Sequence, residues 1–139
     1  MKQVKDYLSV ELEDGQRRVV SRWLRPVESA ELREGLLLLQ HLTEEHQPVS
    51  WLMETHHLTP LPLEDQNWVV ESLASRLVDT SLLQVALVLP NDATLHLVGD
   101  RIKQKIYTAF GQKIQVECFS RRDHALFWLS NPEDSSLSL

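Results

Sequence analysis

The sequence has little of what most nucleotide-binding and redox sites need. It contains one cysteine, Cys118, so the chain alone can form neither a disulfide nor a multi-cysteine metal site, which fits a reducing compartment. Its four glycines are too widely spaced to form a phosphate-binding loop. Lys and Arg number 14 against 20 Asp and Glu, a net charge of −6 that argues against a nucleic-acid partner. These shortages exclude several common functional classes.

Long hydrophobic runs are absent as well. The longest aliphatic runs, 36–39 and 85–89, fall far short of the roughly 20 apolar residues that a membrane-spanning helix needs. The first residues lack the apolar core of a secretory signal. With 42% hydrophobic and 24% charged residues, the composition is typical of a folded globular domain. The sequence therefore predicts a cytoplasmic protein with no membrane span.

What the sequence does contain is a regular alternation of strand and helix patterns. Residues 8–12 alternate apolar and polar side chains, and 17–25 resemble a returning strand. Between them, Asp14 and Gly15 predict a tight hairpin turn in which the glycine takes a positive φ. Ser29 is predicted to cap a helix that ends near His46. The chain thus opens with an antiparallel hairpin and a helix.

Beyond the first helix, strands and helices alternate. Strands are predicted at 49–54, 83–89 and 114–119, and helices at 63–78, 93–110 and 123–130. Consecutive strands joined by helices pair in parallel. We therefore expect a single α/β domain over 1–130, with an N-terminal antiparallel hairpin followed by a mainly parallel sheet. The Ser-rich, acidic residues 131–139 are predicted to form a flexible C-terminal tail.

The two faces of the predicted sheet differ in polarity. One face is apolar throughout, whereas the other is mixed, which indicates that helices crowd one face and leave the other thinly covered. The mixed face carries an apolar strip formed by Leu52, Ala86, Val88 and Phe119. Such a strip is either a subunit interface, the floor for an apolar ligand, or a small second core beneath the hairpin or the first helix.

Polar side chains cluster where the predicted parallel strands end. Ligands of open α/β sheets gather at this edge, so the cluster is a candidate polar rim. Its members are Glu54, His56, His57, Asn91, Asp92, Ser120, Arg121 and Arg122.

These rim residues also have ordinary structural roles. Asn91 or Asp92 can cap the following helix, and Ser120 with Asp123 fits a capping box. An enzyme would need Glu54, a histidine and an arginine to converge on one pocket. Because no catalytic or metal-binding spacing is present, the sequence predicts neither an enzyme nor a metal or cofactor site.

Three stretches carry a resemblance to a known family: Trp51-Leu52-Met53-Glu54, Leu63-Glu64-Asp65-Gln66-Asn67-Trp68, and residues 85–90. Over about residues 4–130 the layout resembles the SpoIIAA-like group, which is related to the STAS domains of sulfate transporters and anti-sigma-factor antagonists. It looks closest to stand-alone bacterial members. The resemblance implies a β-α superhelix with helices mainly on one sheet face.

The resemblance also implies two kinds of role. Antagonist-type members bind a kinase partner and are switched by phosphorylation of a Ser or Thr at a helix start, but the matching stretch 61–65 carries no hydroxyl, and Glu54 replaces the usual Asp. Similar lipid-exchange domains hold an apolar ligand against the sheet. Our first functional prediction is therefore a non-catalytic regulatory or protein-binding module, forming a homodimer or binding an unknown protein partner. The alternative is a carrier of a small apolar ligand, such as a lipid or fatty acid.

Overall fold

A computed structural model of the chain describes residues 2–130 and contains one six-stranded sheet whose strands lie in sequence order. β1, β2 and β3 pair in antiparallel fashion, and β3 to β6 pair in parallel. The strands are β1 (Lys2–Lys5), β2 (Leu8–Glu13), β3 (Arg18–Trp23), β4 (Ser50–Glu54), β5 (Gln84–Val88) and β6 (Gln115–Phe119). The predicted hairpin and the mainly parallel sheet are thus confirmed. The predicted tail, 131–139, lies outside the described residues.

The helices are distributed unequally over the two faces of the sheet. They are α1 (Ser29–His46), α2 (Leu63–Trp68), which continues through a π-helical turn (Val69–Ala74) into α3 (Ser75–Leu77), then α4 (Ala93–Phe110) and α5 (Arg122–Ser130). α1 to α4 share the main core with the apolar face of the sheet, whereas α5 packs on the opposite face. Helices mostly on one face are therefore confirmed. No helix among the described residues is long and apolar enough to cross a membrane.

Two local expectations were wrong, and one strand was not predicted. The hairpin turn is a short 3-10 helix (Asp14–Gln16), and the residue with positive φ is Arg17 at 49°, not Gly15. Ser29 is the first residue of α1 rather than its cap, because the backbone N–H of Glu28 instead bonds the Glu31 carboxylate. The sequence analysis also missed β1, which is short and half charged and pairs only along β2.

Two separate hydrophobic cores result from this layout. The main core holds the inward side chains of the sheet, among them Trp23, Trp51 and Val85, beneath α1 to α4. The second core is small and lies between the other sheet face and α5. Its buried members are Val20, Leu52, Ala86, Val88, Ala125 and Leu129. The sheet therefore separates two hydrophobic cores of unequal size.

α1 approaches the sheet most closely at Gly35. A Cβ placed on Gly35 would lie 2.6 Å from the Cη2 atom of Trp23 and 3.3 Å from a Leu8 methyl group. Trp23 is fully buried and stacks on Tyr7 with ring centroids 6.0 Å apart. A larger side chain at position 35 must therefore displace either α1 or a packed indole.

Gly35→Ala is expected to lower the free energy of unfolding by about 1–3 kcal/mol, the usual cost of overpacking a filled core. Gly15→Ala is the matched control, because a Cβ at Gly15 meets nothing within 4 Å. Urea unfolding followed by tryptophan fluorescence measures both variants. Equal stability of the two would show that α1 does not rest against Trp23.

Candidate functional site

An apolar cavity of about 140 Å³ lies between the main face of the sheet and the helices. Its floor is formed by side chains of β3 to β6, including Trp23, Trp51, Met53, Val85, Leu87 and Val116. Its roof comes from α1, from the helix that runs through the π turn, and from α4. Thr55 and Thr59 are the polar side chains of its lining. The interior therefore offers apolar surface and almost no polar contact.

The cavity is present because α4 does not pack closely against the sheet along its whole length. The helix is amphipathic, yet its buried residues are just Gly99 and Ile106. Val98 and Ile102 face the cavity and are only half buried. The π-helical turn contributes Val69, Leu73 and Ala74 to the opposite wall. A π turn inside an α-helix is rare and is frequent at functional sites.

The cavity reaches the surface at the loop between β4 and α2. Thr59 and Pro60 belong to its lining and are exposed. His56 and His57 lie exposed in the turn that begins this loop. Two of the predicted rim residues are therefore exposed in the same loop as the lining residues Thr59 and Pro60, but they do not line the cavity.

The N-terminus of α2 is tied to α1 next to this mouth by Asp65, which is buried. Its carboxylate accepts a hydrogen bond of 2.6 Å from the Ser29 hydroxyl and two bonds of 3.0 and 3.1 Å from the Arg33 guanidinium. That guanidinium also lies 5.2 Å from the Trp68 ring centroid. The carboxylate is fully engaged in holding the two helices together.

The predicted apolar strip is not on the surface. Leu52, Ala86 and Val88 have no exposed area, and Phe119 packs on Trp128 of α5 with ring centroids 5.7 Å apart. In this conformation the first three side chains cannot contact a partner or ligand. Of the three alternatives, the arrangement is that of a small second core, but its cover is α5 rather than the hairpin or the first helix.

Glu54 is the centre of an ion-pair cluster at the end of β4. Its side chain is 5% exposed, and its carboxylate bonds Arg22 of β3 at 2.7 Å and Arg122 of α5 at 2.8 Å. Of the predicted rim residues, the structure thus brings Glu54 and Arg122 together. Because each carboxylate oxygen is bound by a guanidinium, this group serves to dock α5 rather than to act as a base.

The remaining rim residues are dispersed. Asp92 caps α4 by accepting a 3.0 Å bond from the Leu95 N–H, and Asn91 is exposed beside it. Ser120 makes no capping box with Asp123; its hydroxyl lies 3.1 Å from His96 Nε2. Arg121 pairs with Asp123 in solvent at 2.7 Å. Within residues 2–130, no group of three or more His, Cys, Asp or Glu side chains could hold a metal ion.

The sequence analysis did not identify Arg22, His96 or the helical residues that line the cavity as parts of a site. Arg22 lies directly opposite Glu54 in the parallel register of β3 and β4. That pairing could have been found once the hairpin was placed beside β4, since the register puts Arg22 opposite Glu54, the last residue of β4. The cavity left no comparable signal, because the side chains that line it resemble those of an ordinary core.

With this geometry established, comparison with known proteins identifies the fold. No family model matches the chain, and no curated protein is significantly similar to it in sequence. A solved structure does match: an uncharacterised protein of the DUF3478 family from Shewanella loihica PV-4, whose fold is SpoIIAA-like. The TM-score is 0.58 at 14% identity, over 93% of this chain and 98% of that one.

The chain has a SpoIIAA-like fold. The predicted resemblance is thereby confirmed at the level of the fold. At this low identity the match carries no assignment of activity. The functional argument therefore depends on the residues of this SpoIIAA-like domain itself.

Arg122→Ala is expected to lower the free energy of unfolding by about 1–2 kcal/mol, because a charge-assisted hydrogen bond to a buried carboxylate is lost from a half-exposed arginine. It should also speed amide hydrogen exchange in α5. Arg121→Ala is the matched control: its ion pair is exposed, so a change below about 0.5 kcal/mol is expected. Equal effects of the two substitutions would contradict a docking role for Glu54.

Cys118 reports on the packing of α4 against β6. A Cβ on Gly99 of α4 would lie 2.7 Å from the Cys118 Sγ, so helix and thiol are in close contact. Burial, and to a lesser extent Asp100 and Glu117, raise the pKa of the Cys118 thiol to about 11. The protonated thiol is the unreactive form.

We therefore expect the Cys118 thiol to react with Ellman's reagent at pH 8 at least about 100-fold more slowly in the native protein than in urea, where its pKa returns to about 8.5. The native rate should keep rising with pH up to about 11. A native rate that levels off near pH 9 would contradict burial of the thiol beneath α4.

Proposed function

We propose that this SpoIIAA-like domain is a non-catalytic binding module that holds a small apolar ligand in the cavity between its sheet and helices. The observation that carries the proposal is the cavity itself, about 140 Å³ in volume and lined almost wholly by apolar side chains. Protein interiors are normally close-packed, so an apolar space of this size is unusual. Empty apolar cavities of about 150 Å³ bind benzene-sized molecules.

The volume limits the ligand class. It accommodates one aromatic ring or a short alkyl chain, whereas pockets for drug-sized ligands have about 300–1,000 Å³. A longer ligand, such as a fatty acid, would have to extend through the mouth past Thr59 and Pro60. The supporting features are the half-buried face of α4 and the π-helical turn, both of which line the cavity.

The regulatory, dimeric role stays a prediction, as does the cytoplasmic location. The strip chosen for its interface, Leu52, Ala86, Val88 and Phe119, packs beneath α5. Native mass spectra over a concentration series separate the two roles. A dimer at the bare polypeptide mass supports the protein-binding module, and a monomer with extra mass that disappears on denaturation supports the carrier.

Filling the cavity should weaken ligand binding without unfolding the protein. Ala74 is buried in the π turn and lines the cavity, so Ala74→Leu places three further carbon atoms inside it. We expect ethylbenzene, titrated into ¹⁵N-labelled protein, to shift the amide signals of cavity residues in the wild type and to bind Ala74→Leu at least about tenfold more weakly.

Ala30→Leu is the matched control, because Ala30 is exposed on α1 and the chemical change is the same. This control should bind ethylbenzene as the wild type does. Thermal unfolding of both variants verifies that they fold, and Val69→Phe provides a second filling variant. Absence of binding to the wild type, or unchanged binding in both filling variants, would overturn the proposal.

A further inference from the structure

A surface groove adjoins the apolar cavity on the side where α1 and α2 begin. The groove has a volume of about 330 Å³. It shares part of its lining with the cavity, namely Leu32, Leu58, Thr59 and Leu61. Leu58 and Leu61 are half-buried side chains of the loop that follows β4, and Thr59 is exposed in the same loop. The cavity and the groove therefore meet at this loop.

The groove differs from the cavity in its polar groups. Besides Thr59, its polar side chains are Glu28, Ser29 and Asp65, and no lysine, arginine or histidine of the described residues lines it. The Ser29 hydroxyl proton is used in the 2.6 Å bond to Asp65, so the serine can offer a ligand only its acceptor oxygen. An ionised carboxylate is likewise an acceptor and not a donor. Apart from the Thr59 hydroxyl, the side chains of the groove therefore offer acceptors alone.

The charge around the groove is negative. Asp65 is balanced by Arg33, with which it forms a salt bridge of 3.0 Å. Glu28 is exposed and forms no ion pair within residues 2–130. Arg25, three residues earlier in the chain, already bonds two other carboxylates at 2.8 and 3.0 Å. Negative charge therefore remains in excess, so a cationic group is stabilised in the groove and an anionic group is destabilised.

We propose that the ligand of this domain is amphipathic. Its apolar part, a ring or a short alkyl chain, fills the cavity. Its other end is a hydrogen-bond donor, above all a cationic amine, which passes the loop after β4 and lies in the groove beside Glu28 and Ser29. This inference rests on the proposed ligand-binding function and adds the chemistry of the polar end. A fatty acid does not fit, because its carboxylate would meet acceptors and negative charge.

The test compares phenylalkylamines with phenylalkanoates of equal chain length, over chains of about three to six methylene groups. Ethylbenzene is the compound without a polar end. Each compound is titrated into ¹⁵N-labelled full-length protein at low ionic strength. At the chain length that reaches the groove, the amine should bind at least about tenfold more tightly than the carboxylate, because one unit charge 4 Å from another changes affinity by about fivefold even in water. The amine should also shift the amide signals of Glu28 and Ser29, whereas ethylbenzene should not.

Glu28→Gln removes the charge and keeps the length of the side chain. The ratio of amine affinity to carboxylate affinity should fall at least about fivefold in this variant. Glu45→Gln is the matched control, because Glu45 is exposed on the same helix about 25 Å away and its loss changes the net charge equally. The control should keep the wild-type ratio. Thermal unfolding verifies that both variants fold.

The cavity-filling variant Ala74→Leu tests whether the ligand occupies the cavity and the groove together. Amine binding should weaken in this variant, as ethylbenzene binding does. An amine that binds Ala74→Leu and the wild type equally is held at the surface alone, and that result would overturn the inference.

The outcomes separate the two proposals. If no compound, ethylbenzene included, shifts the amide signals of cavity residues, ligand binding in the cavity fails, and this inference fails with it. If ethylbenzene binds but amines and carboxylates bind equally, the donor end is wrong while the cavity remains a binding site. The same conclusion follows if Glu28→Gln and Glu45→Gln give the same ratio, because the preference then comes from net charge. A preference for the amine that is lost in both Glu28→Gln and Ala74→Leu supports the inference.

Discussion

The distance between the helices and the sheet is the constraint on which the rest of this structure depends. Two glycines set it: Gly35 brings α1 against Trp23 of β3, and Gly99 brings α4 against Cys118 of β6. The central strands β4 and β5 lie between these two contacts in the sheet. A helix pressed against the sheet at one glycine cannot follow it everywhere, because the sheet is twisted and the helix is straight. Space therefore remains above the central strands, and the cavity occupies it.

The two faces of the sheet use different forces to hold their cover. α1 to α4 are held by a large apolar core. The second face offers far fewer apolar side chains to the short helix α5, so the ion pairs of Glu54 with Arg22 and Arg122 contribute to its attachment. Glu54 and Thr55 are adjacent in sequence, and their side chains make contacts on opposite sides of the sheet. The first fixes α5, while the second lines the cavity and bonds the Val88 carbonyl. The carboxyl end of β4 is therefore held from both sides at the cavity mouth.

The sequence predicted the features that depend on local pattern. It did not predict the features that depend on contacts between distant segments. The strand and helix periods predicted the strands from β2 to β6 and the α-helical segments, because a single buried face imposes the alternation. β1 was missed because it is an edge strand with two lysines in four residues. The π turn left no pattern either, since an extra residue in one helical turn changes the period too little to be seen.

The candidate site was predictable only in part for the same reason. The residues after the strand ends were expected to lie at one edge of the sheet, and an ion pair between Glu54 and Arg122 does form there. Their partner Arg22 required knowledge of which strand lies beside β4. The apolar strip was inferred from one face alone, so its cover could not be known before α5 was placed on it. The cavity is a space that the side chains leave unfilled, and no residue type in the sequence indicates such a space.

The same packing also limits how tightly the cavity can bind. A ligand of one aromatic ring buries about 150–250 Å² of apolar surface, as an aromatic side chain does, which corresponds to roughly 4–6 kcal/mol. Dissociation constants from this source alone are about 0.04–1 mM. The polar groups around the cavity cannot add to them, because Asp65 and Glu54 are already bonded to arginines. Stronger binding therefore needs contacts outside the cavity, for example with the loop after β4, where His56 and His57 are exposed.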